Sequence, residues 1–293
     1  MAGAAELIAR AGRHGLTFIA RLKHAPFPIE DGEDDFFDGR DRKTGERFHS
    51  GPDGPLPEPR HFRDDRVLFH VPRQFDPARP FALIVYFHGH RTELRRTLLG
   101  EHDLARQADE SGANVVLVAP QMALDAADSH PGKLAEPEGL DRFLDEAARV
   151  LAREAGMERA AVARAPVILA GFSGGYRGVA YCLERGGADR RVQGVVLLDA
   201  IYGEVERLRA WISVAGRHAF FLCLYGESSR DGTERLAAAL AEEGIPVAAR
   251  YPERLAPGAV HLVPVDTPHD RIPLDGPPAR PLADILRRLP SFL

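Results

Sequence analysis

Residues 167–183 read VILAGFSGGYRGVAYCL. Four apolar residues of strand type lead into Gly171-Phe172-Ser173-Gly174-Gly175, and a helical pattern follows over 176–186. A serine between an apolar strand and a helix, with glycine two residues before and two after, has a steric logic. The sharp turn forces the serine into a strained backbone conformation, and larger flanking side chains would collide with the strand and the helix. The helix then aims its free N-terminal amides, that of Gly174 among them, at the space above Ser173, where an oxyanion would form. A phosphate-binding turn also opens a helix with glycines, but this run has neither the G-x-G-x-x-G spacing nor a P-loop lysine. Ser173 is therefore the candidate nucleophile.

Outward from this turn, short apolar runs alternate with helical stretches. Strands are expected at 66–71, 81–87, 114–119, 167–170, 192–198 and 219–224, with a last one within 247–265. Helices are expected at about 92–110, 139–155, 176–186, 204–214 and 232–243. Strands that are apolar throughout and separated by helices belong to a parallel sheet covered on both faces. The expected fold class is α/β: a doubly wound, mostly parallel sheet of about eight strands flanked by helices. In such a sheet ligands bind beyond the carboxyl ends of the strands, so the residues just after each run are read first. Residues 28–64 are rich in Asp, Gly, Pro and Arg, a composition that buries little apolar area and reads as surface loop or hairpin. The chain 1–293 is read as one domain, with 1–64 an N-terminal extension.

His88-Gly89-His90 follows the run FALIVYF. Glycine permits a tight turn at the sheet edge, so that the amide of His90 joins that of Gly174 in an oxyanion hole, with His88 turned inward as support. The alternative, a metal site on the two histidines, has no carboxylate or cysteine suitably spaced beside it. With its HG turn after one core strand and its nucleophile turn after a later one, the sequence from about residue 65 onward resembles an α/β-hydrolase. The resemblance implies a triad in the chain order serine, acid, histidine.

Three histidines follow Ser173: His218, His261 and His269. His218 precedes the strand AFFLCL and so lies at the wrong sheet edge, and His261 lies within a strand-like segment. His269, in the loop VDTPHDRIP where the resemblance puts the base, is expected to be the general base. For the acid, Asp199 directly ends the run VQGVVLL, where burial of a charge requires a partner. Glu227 and Asp231 follow the next strand and remain alternatives. There LYGESSRDG departs from the resembled pattern by placing Ser229 where the acid is expected. That departure favours Asp199.

Only 19 positions separate Asp199 from His218, most of them taken by one amphipathic helix, so no separate cap domain fits. The loop 121–140 is expected to wall one side of the pocket, with Met122, Leu124 and Tyr202 as apolar contacts. Lys and Arg number 38 against 43 for Asp and Glu, and the net charge of -5 gives no reason to expect nucleic acid as a partner. A small-molecule or acyl ester substrate is expected instead. No apolar run approaches the roughly 20 residues that span a bilayer. Cys182 and Cys223 fall in segments read as buried, and the arginine-interrupted N-terminus has no signal-peptide core, so a cytoplasmic location is expected. The reading that follows is a serine hydrolase cleaving carboxylic esters through an acyl-enzyme, without metal or organic cofactor. Its rivals are an amidase or peptidase, a polysaccharide deacylase, and a hydrolase-like binding protein without turnover.

Overall fold

The computed structural model describes residues 5–9, 15–29, 36–215 and 218–290. Twelve strands are present among them: β1 Glu6–Ala9, β2 Leu16–Arg21, β3 Gly39–Arg40, β4 Arg47–Gly51, β5 Gly54–Pro57, β6 Arg66–Val71, β7 Ala82–Phe87, β8 Val115–Pro120, β9 Val167–Phe172, β10 Val192–Leu198, β11 Phe220–Tyr225 and β12 Val260–Pro264. Nine form one sheet in the order β1-β2-β6-β8-β7-β9-β10-β11-β12, and β3-β4-β5 form a small second sheet. From β8 to β12 all neighbours are parallel, whereas β1, β2 and β6 are antiparallel additions at one edge.

The apolar strands are buried on both faces, and their period-2 alternation divides the core in two. On β7, Leu83, Val85 and Phe87 face one layer, while Ala82, Ile84 and Tyr86 face the other. The first layer is completed by helices Gly139–Ala155, Tyr176–Arg185, Val205–Ala215 and Arg230–Glu242. The second is completed by Leu94–Glu101, Leu104–Ser111 and Pro281–Arg287. Helix Gly139–Ala155 illustrates the rule: Leu140, Phe143, Leu144, Ala147, Ala148 and Leu151 recur at helical spacing and are all fully buried. Gly156 at its C-terminus takes a left-handed conformation, φ +66°.

The expected mostly parallel sheet of about eight strands is present with nine; no strand was expected at 16–21, where LTFIAR forms β2 and pairs along its whole length with β6. Flanking arginines and a short apolar run had hidden it. The stretch 92–110 is two helices, a π-helix Leu94–Glu101 and an α-helix Leu104–Ser111, separated at Asp103 by a positive φ of +51°. The polar stretch 28–64, apart from residues 30–35 outside the described segments, forms hairpins, as one of its two expected readings had it, and buries more apolar area than expected. It supplies β3–β5 and a satellite core in which Ile29, Phe36 and Phe62 pack with Phe27, Ala123 and Ala126. Arg47 donates to both Glu58 oxygens at 2.7 and 2.8 Å, and this pairing holds the largely buried Glu58 carboxyl below its usual range. A few well-placed aromatics and one bidentate ion pair thus give a segment of polar average composition a small core of its own.

Candidate active site

The chain leaves β7 for β8 on one side and returns past β7 to form β9 on the other, so the carboxyl ends of β7 and β9 flank a topological switch point. Ser173 sits there, directly after β9. Its φ is +52°, a left-handed conformation that costs a non-glycine residue on the order of 1 kcal/mol or more. The flanking glycines have the expected reason: a Cβ at Gly175 would lie 2.2 Å from the Phe87 carbonyl oxygen. A short helical turn, Ser173–Gly175, leads into helix Tyr176–Arg185.

His269 lies in the loop after β12, and its Nε2 is 2.9 Å from Ser173 Oγ. Its Nδ1 is 2.7 Å from Asp199 Oδ2, and Asp199 directly follows β10. A carboxylate only accepts, so the proton resides on Nδ1 and Nε2 keeps the lone pair facing the serine hydroxyl. Asp199 is 1% exposed. Burial alone would raise its pKa. The hydrogen bonds from His269, Ser228, Ser229 and the Gly226 amide outweigh burial and hold it well below the usual carboxylate range. Ser228 Oγ donates to Oδ2 and Ser229 Oγ to Oδ1, and the Gly226 amide lies 2.8 Å from Oδ1. Because Ser228 has given its proton to Asp199, the Tyr202 hydroxyl 2.9 Å away must donate to Ser228. Phe172 stacks on the His269 ring, centroids 4.8 Å apart.

The His88-Gly89-His90 turn is built from a single neutral tautomer. His88 is buried, its Nδ1 lies 2.8 Å from the Gly89 carbonyl, and its Nε2 accepts from the Met122 amide at 2.9 Å. Both ring nitrogens are therefore occupied, and the imidazole holds the β7 turn against the end of β8. Burial pushes its pKa down to about 4 from 6.5. Native His88 thus binds its proton more weakly than unfolded His88, so the stability this gives is complete above pH 6.5 and is lost as pH falls toward 4. The expected loss across that window is at most about 3 kcal/mol, and His88→Gln is expected to flatten this part of a pH series of denaturant-unfolding measurements.

Gly89 faces the nucleophile itself, since a Cβ there would be 2.7 Å from Ser173 Cβ and 3.3 Å from its Oγ. Gly89→Ala is expected to displace the serine and to lower kcat/KM by about a hundredfold, a size typical of ångström-scale misplacement of a reacting group. A steady-state assay beside a melting curve checks this. The His90 amide donates to no protein group among the described residues, and its ring Nε2 meets Ser129 Oγ at 2.6 Å. The His90 ring and Ser129 both crowd Gly174: a Cβ there would lie 2.3 Å from Ser129 Oγ and 2.8 Å from His90 Cδ2.

A cleft of about 820 Å³ opens over Ser173 and His269. Its walls come from the β7 turn (His90, Arg91), from Thr97 to His102, from Ala127, from Asp270 to Leu274, and from the β4–β5 turn at Pro52 and Asp53. Arg91 reaches across to Asp53, 2.6 Å.

The structure gathers Ser173, His269, Asp199, His90, Gly174 and Tyr202 in one place, Tyr202 lying 3.3 Å from His269 Nδ1. Two expected pocket contacts lie elsewhere. Met122 is buried in the core near Phe87 and Gly178, because its amide is tied to His88 and its side chain points beneath the sheet edge. Leu124 is tied by its amide to the His61 carbonyl and lines a separate groove with Arg21 and Arg66. Of the loop 121–140, Ala127 and Ser129 come nearest the serine. Neither alternative acid pairs with the base: Glu227 is 89% exposed and pairs with Arg230, while Asp231 sits exposed in the first turn of helix Arg230–Glu242. His218 is exposed before β11, and His261 Nδ1 is bound to the Arg250 carbonyl. Sequence reasoning missed Ser228 and His102. For Ser228 a signal existed in the hydroxyl pair of LYGESSRDG beside an unpartnered Asp199.

No protein-family model matches the chain, and no curated protein does. Among solved structures, an S-formylglutathione hydrolase from Agrobacterium tumefaciens is similar over 97% of this chain and 100% of its own, with a TM-score of 0.50 at 11% identity. The chain has the α/β-hydrolase fold. A feruloyl esterase module from Clostridium thermocellum, an S954A mutant complexed with sinapinate, is similar over 91% of this chain and 95% of its own, with a TM-score of 0.49 and 13% identity. In this chain β1 and β2 pair antiparallel at one edge of the sheet, and the turn of the small second sheet reaches the cleft. No helix among the described residues is long and apolar enough to cross a membrane.

Proposed function

We propose that the protein is a serine hydrolase that cleaves carboxylic esters through an acyl-enzyme, with Ser173 as nucleophile, His269 as base and Asp199 as the acid that orients it. The observation that carries this reading is the continuous chain from Ser173 Oγ to His269 Nε2, 2.9 Å, and from His269 Nδ1 to Asp199 Oδ2, 2.7 Å. In the first half-reaction Ser173 Oγ attacks the ester carbonyl carbon as its proton passes to His269 Nε2. The tetrahedral intermediate then collapses, the C–O bond to the alcohol breaks, and the imidazolium returns the proton to the departing oxygen. Water repeats the sequence on the acyl-enzyme and frees the acid. The amides of His90 and Gly174 stabilise the oxyanion, and the buried Asp199 carboxylate stabilises the imidazolium in between. The hydrolase name of the structural neighbour at a TM-score of 0.50 agrees with this reading, as does a cleft open enough for a substrate to enter.

A fluorophosphonate probe tests it directly. The expected result is a single covalent adduct on Ser173, with parallel hydrolysis of p-nitrophenyl acetate. A folded protein that remains unlabelled, and that turns over no ester, would instead be a hydrolase-like binding protein.

A further inference from the structure

We propose that His102 is the specificity-determining residue of a polar leaving-group subsite, which selects esters whose alcohol carries a free hydroxyl; the proposal rests on the ester hydrolase reading above. His102 ends the π-helix Leu94–Glu101, its amide bound to the Thr97 carbonyl at 2.7 Å. Its ring meets Phe172 edge to face, centroids 5.3 Å apart, and Phe172 in turn stacks on His269. Gln107 Nε2 bridges the His102 and Pro273 carbonyls at 2.8 Å each, which fixes His102 beside the segment that continues from His269. His102 is therefore on the side of the cleft where His269 returns its proton. That side receives the alcohol.

The ring is only 6% exposed, yet no hydrogen bond holds either nitrogen among the described residues, and Nδ1 is enclosed without a partner. A buried polar group left unpaired is costly, so such groups nearly always have a partner. Here His102 lines the cleft, and Nε2, which has no partner among the described residues, is the ring nitrogen left for a bound molecule, while the enclosed Nδ1 stays unpaired with or without one. Burial lowers the pKa of this imidazole to about 4, so near neutral pH it offers a hydrogen bond and no charge. The other cleft walls favour the same ligand. The two arginines are already paired, Arg91 with Asp53 and Arg271 with Asp275, which disfavours an anionic substrate. Thr97 and Glu101 flank His102 with further polar atoms, beside apolar surface that includes Phe172, Leu274, Ala127 and Pro52. A hydroxyl on the alcohol reaches the polar groups around His102, which an alkyl chain of the same length leaves unpaired.

The test compares 2,3-dihydroxypropyl acetate with propyl acetate, which share an acyl group and differ in hydroxyls. The wild-type protein is expected to show the higher kcat/KM for the diol ester. His102→Phe is expected to lower the ratio of the two values by about five- to tenfold, chiefly through KM, as for loss of one hydrogen bond. His102→Gln, which keeps a donor near the Nε2 position, is expected to restore most of the ratio. A ratio unchanged in a folded His102→Phe protein overturns the proposal and leaves the esterase reading intact. So does a wild-type protein that prefers propyl acetate, whatever the folding of the variants. A folded wild-type protein that hydrolyses p-nitrophenyl acetate but neither of these esters overturns the subsite alone, and one that also remains unlabelled by fluorophosphonate and hydrolyses no ester overturns the esterase reading and the subsite with it.

Discussion

Replacing Ser173 with alanine is expected to reduce kcat for p-nitrophenyl acetate by about a millionfold, the size seen when the nucleophile of a serine hydrolase is removed. The loss is large because His269 and Asp199 then have no oxygen to activate, and only the amides of the oxyanion hole remain. Stability should respond differently. Alanine and serine suffer alike at a φ of +52°, so the Ser173→Ala melting temperature should stay within a few degrees of wild type. Ser173→Gly should be equally inactive yet more stable by on the order of 1 kcal/mol, because glycine adopts that conformation without strain. Measured together by steady-state kinetics and calorimetry, the two variants separate the chemistry of the side chain from the conformation imposed on it. Retained esterase activity in either would refute the mechanism.

The second large effect is expected at Asp199. Asp199→Asn should lower kcat by about ten-thousandfold with little change in KM, and the reason is visible in its hydrogen bonds. Oδ1 accepts from the Gly226 amide and Ser229, whereas Oδ2 faces His269 and Ser228. An asparagine that keeps its oxygen toward Gly226 must turn its NH2 toward His269 Nδ1. That nitrogen must then accept, so Nε2 carries the proton and no longer receives one from Ser173. Glu227→Gln and Asp231→Asn, neither of which pairs with the base, should leave kcat within about twofold, as is usual for surface substitutions. A severe effect at Glu227 with a mild one at Asp199 would move the acid to the end of β11.

Much of the sheet was legible because strands buried on both faces are apolar throughout and end sharply. The ends of β7 and β10 could be read from Phe87 and Leu198, and that of β9 to within two residues of Phe172, as could the residues just after them. His269 was legible through the resemblance, which puts the base after the last strand, and Asp199 because Ser229 stands where the resemblance puts the acid. What escaped reading depends on tertiary context. β2 is a short run among arginines and becomes a strand only because β6 offers it a full register of partners. The segment 28–64 is polar on average, but its order comes from Phe36 and Phe62 meeting Phe27, and from Arg47 meeting Glu58, contacts that composition does not reveal. Met122 seemed a wall residue because its loop leaves the sheet at the active edge. Its amide is instead claimed by His88, which turns the side chain into the core. His102 carries no motif at all, and only its burial without a partner marks it.

The two hydroxyls of Ser228 and Ser229, clasping a carboxylate that belongs to the neighbouring strand end, bear on how such a site is rewritten by mutation. One anion is shared between the ends of β10 and β11, and the hydroxyls supply the donors that an anion at either end would require. Changing Ser229 to aspartate alone would set two carboxylates in contact and drive one of them to take up a proton, while losing Asp199 alone leaves the imidazole unoriented. Every single-step route between the two arrangements therefore passes through an impaired intermediate with either a surplus or a deficit of charge. On the proposed mechanism, the acid at this site can therefore move between the two strand ends only by a paired exchange of Asp199 and Ser229.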